Sequence, residues 1–282
     1  MREQHRATQR QDGGMAGDGP RLEGWALILG ASSGFGAAVA RQLAACGMHI
    51  IGVHLDRRNT LPLAEAVQRD VTALGRRALF FNVNAADAAA RAQVLDAVAP
   101  EVRAAVPPIR VLLHSLAFGT LKPFISDTEA DALTPAQMEM TLDVMANSLV
   151  YWVQGMVRRN LVGHGSRIYA MTSAGSGRIW PGYGPVGTAK ACLESHIRRL
   201  AVELGPRGVT VNAVRAGVTD TPALRKIPGN DALLAHASKA NPGGRLTQPT
   251  DIARAIAALA LPETQWLTGN IIGVDGAEDL AM

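Results

Sequence analysis

A short apolar run from Trp25 to Leu29 breaks into GASSGFG and resumes as an alanine-rich stretch through Ala45. Apolar run, glycine turn and helical pattern, in that order, constrain the fold more than any other feature of the chain. Gly30, Gly34 and Gly36 are spaced G-x3-G-x-G, where glycines make the turn and let the backbone approach a pyrophosphate held at a helix N-terminus. A glycine trio alone is a weak signal. Its position directly after a strand and before a helix of the right period is what makes it a dinucleotide-type turn.

The rest of the chain repeats the alternation. Further apolar runs at 49–55, 77–83, 109–114, 166–172, 209–214 and 270–274 read as strands. Helical patterns fall at 61–74, 85–98, 135–156, 183–204 and 249–261, with an irregular stretch carrying a short helix at 219–244. Strands alternating with helices of this length give an α/β fold: one Rossmann-type, doubly wound parallel sheet flanked by helices, with ligands beyond the carboxyl ends of the strands. Residues 24–282 are expected to form this single domain. Residues 1–23 carry four basic and four acidic charges and little apolar surface, which predicts a disordered tail.

Composition excludes several alternatives. Two cysteines, both inside apolar patterns, do not make a disulfide scaffold, and a reducing, cytoplasmic setting fits. The longest uncharged run, 24–40, is interrupted by glycines and serines, so no membrane span is expected. A net charge of +4 without basic clusters interleaved with aromatics gives no indication of nucleic acid. No second histidine or carboxylate stands at metal-ligand spacing from His114, which reads as a structural histidine, and no metal is expected.

Cofactor choice is written ambiguously after the second strand. A carboxylate about 20 residues beyond the glycines binds ribose hydroxyls, whereas arginine there accommodates a 2′-phosphate. Here His54 stands where an acidic residue is expected, Asp56 follows two later, and Arg57 and Arg58 come next. The two arginines tip the reading toward the phosphorylated cofactor, with NADH left open.

Tyr183 and Lys190 are seven apart in a helical run, about two turns, and so project from the same side. A nearby ammonium favours the phenolate and is expected to lower the phenol's pKa toward neutrality. Hydride-transfer enzymes use such a pair. Trp180, close to the tyrosine, reads equally well as a substrate wall or as core.

Together with Ser173, Asn82-Val83, Val211-Asn212-Ala213, Thr268-Gly269 and Val274-Asp275-Gly276, these motifs resemble the short-chain dehydrogenase/reductases over nearly all of 25–275. That family usually places its tyrosine four before the lysine, and here that position is Val186, which has no proton to give. The Tyr-x6-Lys spacing and HSLAFG are similar to the enoyl-acyl carrier protein reductases. The ordinary glycine turn, Ser173 and NPGGRLTQPTDIA are most like their type III members, which use NADPH. Met145 and Leu29 replace a helix asparagine and a strand-end threonine of the wider family. Ser173 stands where many enoyl reductases carry a second tyrosine.

The resemblance implies NADPH-dependent reduction of an enoyl thioester, on acyl carrier protein or coenzyme A, by a homotetramer. It assigns catalysis to Tyr183, Lys190 and Ser173. It assigns the cofactor to Gly30, Ser32, Ser33, Gly34, Phe35 and Gly36 of the turn, and to Arg57 and Arg58. Asn82 and Val83 would hold the adenine, Ser115, Leu116 and Ala117 the nicotinamide ribose with Lys190, and Thr219 and Thr221 the carboxamide. Its homotetramer would be built on the helices holding Met145 and Lys190, whose surplus of apolar residues also predicts pairing. A carbonyl or 3-oxoacyl reductase of the same family is the alternative; a non-catalytic cofactor sensor or scaffold is a remoter one.

Overall fold

The computed structural model describes residues 21–281. Among them, β1 (Trp25–Leu29), β2 (His49–His54), β3 (Ala78–Asn82), β4 (Ile109–His114), β5 (Arg167–Ser173), β6 (Thr210–Ala216) and β7 (Ile271–Val274) form one sheet. Its order is β3-β2-β1-β4-β5-β6-β7, and every pairing is parallel. Helices cover both faces. They are α1 (Gly34–Ala45), α2 (Leu61–Ala73), α3 (Ala88–Val102), α4 (Pro135–Leu142), α5 (Ser148–Arg158), α6 (Gly184–Leu204), α7 (Asn230–Ala240), α8 (Pro249–Leu259) and α9 (Glu278–Ala281). Covered on two sides, β1 is buried at all five positions, as a near-continuous apolar run requires.

Alternation along the strands divides the core. Leu27 and Leu29 join Leu112 and Ile168 under Leu149, Trp152, Leu193 and Ile197 of α5 and α6. Ala26 and Ile28 face the other way, with Ile50 and Leu113, under Val39 and Leu43 of α1 and Ile252 and Ile256 of α8. No helix of the described residues is long and apolar enough to cross a membrane.

Three features depart from the sequence expectation. Most of the tail at 1–23 lies outside the described residues, but its last part is packed: Leu22 is buried and its N–H bonds the Cys46 carbonyl at 2.7 Å. The helix expected without interruption over 135–156 contains a π-helical turn at Asp143–Asn147, between α4 and α5. Within 219–244, α7 is an 11-residue helix instead of a short one.

Candidate active site

The strand order reverses between β1 and β4, the switch point beyond which an open α/β sheet binds its ligand. A cavity of about 470 Å³ opens there, over the carboxyl ends of β4, β5 and β6. It brings together Ser173, Tyr183, Lys190, Ser115, Leu116, Ala117, Thr219, Thr221 and Phe35. Trp180 lines it too. The Trp180 indole donates to the Pro228 carbonyl at 3.2 Å, tying the loop before α6 to the segment before α7.

Tyr183 stands one residue before α6, as its N-cap, and Lys190 lies within the helix. The Tyr183 hydroxyl is 3.4 Å from the Ser173 hydroxyl at the end of β5. Gly175 and Gly187 make room for this arrangement: a Cβ on Gly175 would collide with the Tyr183 ring, and one on Gly187 with the Gly175 carbonyl. Val186 is buried with Met145 and Ala189, an apolar cluster against which Tyr183 packs.

The electrostatics differ from the expected lysine-activated phenol. Burial pushes the Tyr183 phenol above its ordinary value, and the Ser173 hydrogen bond offsets part of that rise. Lys190 is buried and donates to the Met171 carbonyl at 2.7 Å. Burial lowers its pKa to about 8, with Glu194, one turn further along α6, opposing the shift. Desolvation therefore dominates both groups, and the lowered phenol pKa anticipated from the spacing is not found. His114 lies at the end of β4. It is buried against the Ser148 hydroxyl, 2.8 Å away, and burial with the Lys190 charge holds its pKa down to about 3.

The turn fits a dinucleotide. Gly30 and Gly36 sit where a Cβ would strike the carbonyls of Ser115 and Gly30 respectively, so β1, β4 and α1 meet closely. Ser33 caps α1 without a side-chain hydrogen bond, and the first turn holds no acidic residue. The helix N-terminus is thus left to an outside anion. Ser32, Gly34 and Phe35 line the same turn, partly exposed. Thr221 lies above Gly34, its hydroxyl accepting the Leu224 N–H at 3.2 Å, while the Thr219 hydroxyl donates to the Gly217 carbonyl at 2.9 Å.

Of the glycine turn only Phe35 lines the cavity, and four further predicted residues lie away from it, at the ends of β2 and β3. Arg57 and Arg58 are exposed. Asn82 is engaged with the Asp56 backbone through both ends of its amide, and the Val83 N–H bonds the His54 carbonyl at 2.8 Å. Asn82 therefore shapes this surface more than it offers a free amide.

Sequence reasoning missed the far wall. Glu278 is buried and accepts the Val218 N–H at 2.8 Å, with its carboxyl pushed up by burial. Asp279 pairs with Arg178 at 2.8 Å and with Arg215 at 2.9 Å. These contacts bring the C-terminal helix to the cavity, and no spacing in the sequence announces them. No group of three or more metal-ligating side chains occurs among the described residues.

Fold and site together define a nicotinamide-dinucleotide oxidoreductase, and comparison with known proteins agrees. The family model described as enoyl-(acyl carrier protein) reductase matches residues 30–277. The 3-oxoacyl-[acyl-carrier-protein] reductase FabG of Aggregatibacter actinomycetemcomitans is 32% identical over 252 residues, covering 89% of this chain and 97% of that one. The NADH-dependent enoyl-[acyl-carrier-protein] reductase FabI of Salmonella typhimurium is 29% identical over 187 residues, covering 66% and 70%. Among solved structures, a short-chain dehydrogenase from Burkholderia cenocepacia in complex with NADP superposes with a TM-score of 0.75 at 29% identity, covering 90% and 97%. The chain belongs to the short-chain dehydrogenase/reductase family and is related to the enoyl-acyl carrier protein reductases.

Proposed function

We propose that the protein reduces the 2,3 double bond of an enoyl thioester with NADPH. The observation that carries this reading is the position of the acid. Tyr183 reaches the cavity from the start of α6, next to Ser173, while the site four before Lys190 is filled by Val186 within an apolar cluster. When bound, the reduced nicotinamide supplies hydride to the β-carbon of the substrate. Charge then gathers on the thioester carbonyl oxygen, further away than the oxygen of a reduced ketone. Placing the tyrosine three residues earlier moves its attachment by about 4.5 Å along the helix, in step with that charge.

In this reading Tyr183 holds the enolate oxygen and delivers a proton, and Ser173 donates a supporting hydrogen bond. Lys190 binds the nicotinamide ribose. Phe118, Leu121, Ile179 and Leu233 give the cavity apolar walls suited to an acyl chain. Arg57 and Arg58 receive the 2′-phosphate. The NADP complex of the Burkholderia relative supports that choice, and the NADH-dependent Salmonella enzyme marks the alternative.

A second reading, 3-oxo reduction, draws on Ser173 beside Tyr183 and on the match to the Aggregatibacter enzyme over most of the chain. Catalytic efficiency with a 2-enoyl thioester and its 3-oxo counterpart, each measured with NADPH, decides between them. Preference for the enoyl substrate is expected. Preference for the 3-oxo substrate would replace the first reading with the second.

A further inference from the structure

The end of β2 holds more structure than a cofactor-binding surface needs. His54 is the last residue of the strand, and its Nδ1 lies 2.9 Å from Oδ2 of Asp56, with the two side chains only 4% and 8% exposed. Asn82, paired in register with His54 from the end of β3, fastens the same residue by its backbone. Its Oδ1 accepts the Asp56 N–H and its Nδ2 donates to the Asp56 carbonyl, both at 2.9 Å. Carboxylate and main chain of Asp56 are thus both fixed. One residue later the picture reverses. Arg57 and Arg58 are exposed, and among the described residues neither guanidinium has a hydrogen-bond or ion-pair partner.

In this fold a carboxylate near the end of the second strand accepts the ribose 2′-hydroxyl, while an arginine accommodates a 2′-phosphate. The chain carries both within three residues, so the preference rests on which one is available. A freely placed Asp56 would accept a ribose hydroxyl and repel a phosphate. A buried carboxylate already bonded to imidazole does neither well.

We propose that His54 is a positioning residue that sets cofactor preference. By holding the Asp56 carboxylate at the strand end, it withdraws the acceptor for a free ribose and leaves Arg57 and Arg58 to receive a 2′-phosphate. This rests on the NADPH reading above. The same contact could serve only to brace the loop, so the test must read selectivity and not stability alone.

Binding of NADP⁺ and NAD⁺ is measured by calorimetry on the full chain, with no turnover involved, and melting temperature is recorded for each variant. Wild type is expected to favour NADP⁺. His54→Leu fills the buried space without an N–H donor, and the NADP⁺ to NAD⁺ affinity ratio should fall roughly tenfold as Asp56 is released, the scale of a charge-assisted contact. His54→Asn, which can place an N–H near the Nδ1 position, should keep most of the ratio. His54→Leu with Asp56→Asn should restore it, because the freed carboxylate is the cause. Asp56→Asn alone should leave the ratio within about twofold, which keeps the test decisive if His54→Leu does not fold; a clear loss of NAD⁺ affinity there would show that Asp56 already serves the ribose and would overturn the role of His54. An unmoved ratio in folded His54→Leu would overturn it as well. Wild type favouring NAD⁺ would instead overturn the NADPH reading.

Discussion

At the end of the site proposed for the nicotinamide, Lys190 is buried and Tyr183 partly so, and desolvation moves both away from their ordinary pKa values. At the end proposed for the adenosine, Arg57 and Arg58 stand exposed beyond β2. The two ends face different tasks. Proton delivery depends on a dry, crowded cavity in which a phenol is aimed by its neighbours. Recognition of a phosphate requires charges that keep their water until the ligand arrives. On the proposed reading, burial is the property that separates chemistry from recognition, and substitutions at the two ends should fail in different ways.

The largest effect belongs to the dry end. Tyr183→Phe keeps the ring against Gly175 and Val186 but removes the proton, and turnover of an enoyl thioester should fall by about 10²–10⁴, the usual cost of losing acid catalysis. NADP⁺ affinity measured by calorimetry should stay within about twofold. A parallel loss of affinity would mean that the two ends are not separable.

At the wet end the expected change is smaller and confined to binding. Replacing Arg57 and Arg58 together by alanine should raise the KM for NADPH roughly tenfold, the scale of a charge-assisted hydrogen bond, while the KM for NADH moves little. Equal effects on both cofactors would take the 2′-phosphate away from this pair.

The sequence exposes these two ends unequally. β1 and β4 fall at the residues their apolar runs predict, because a strand buried on both faces needs an unbroken apolar stretch. The glycine turn is equally plain, since close backbone approach admits no other side chain at Gly30 and Gly36. Hidden from sequence are the properties that arise from enclosure. Tyr183 and Lys190 can be paired by their spacing, but the direction of the tyrosine shift depends on how deeply the ring is covered by segments far along the chain. The π-helical turn at Asp143–Asn147 leaves the apolar period of its helix almost intact and so gives no sign of itself.

The smallest effect concerns pH and compares the ends directly. Lys190, with its pKa lowered to about 8, loses its proton as pH rises through that value. If its ammonium binds the nicotinamide ribose, that contribution to affinity is present at pH 7 and fades by pH 9.5. A guanidinium keeps its charge over this whole range, and a phosphate monoester with a second pKa near 6 is already a dianion at its start. The fragment 2′,5′-ADP lacks the nicotinamide ribose and so reports on the adenosine end alone. Calorimetric titrations at pH 7, 8, 9 and 9.5 should show NADP⁺ weakening by several-fold while 2′,5′-ADP holds within about twofold. Lys190→Met should start weaker for NADP⁺ and show no decline, because the titrating group is gone. The low melting-temperature limit of each sample must stay above the titration temperature, so that unfolding is not read as weakened binding. A common decline of both ligands in folded protein would place the titrating group outside the nicotinamide end and remove Lys190 from the ribose contact.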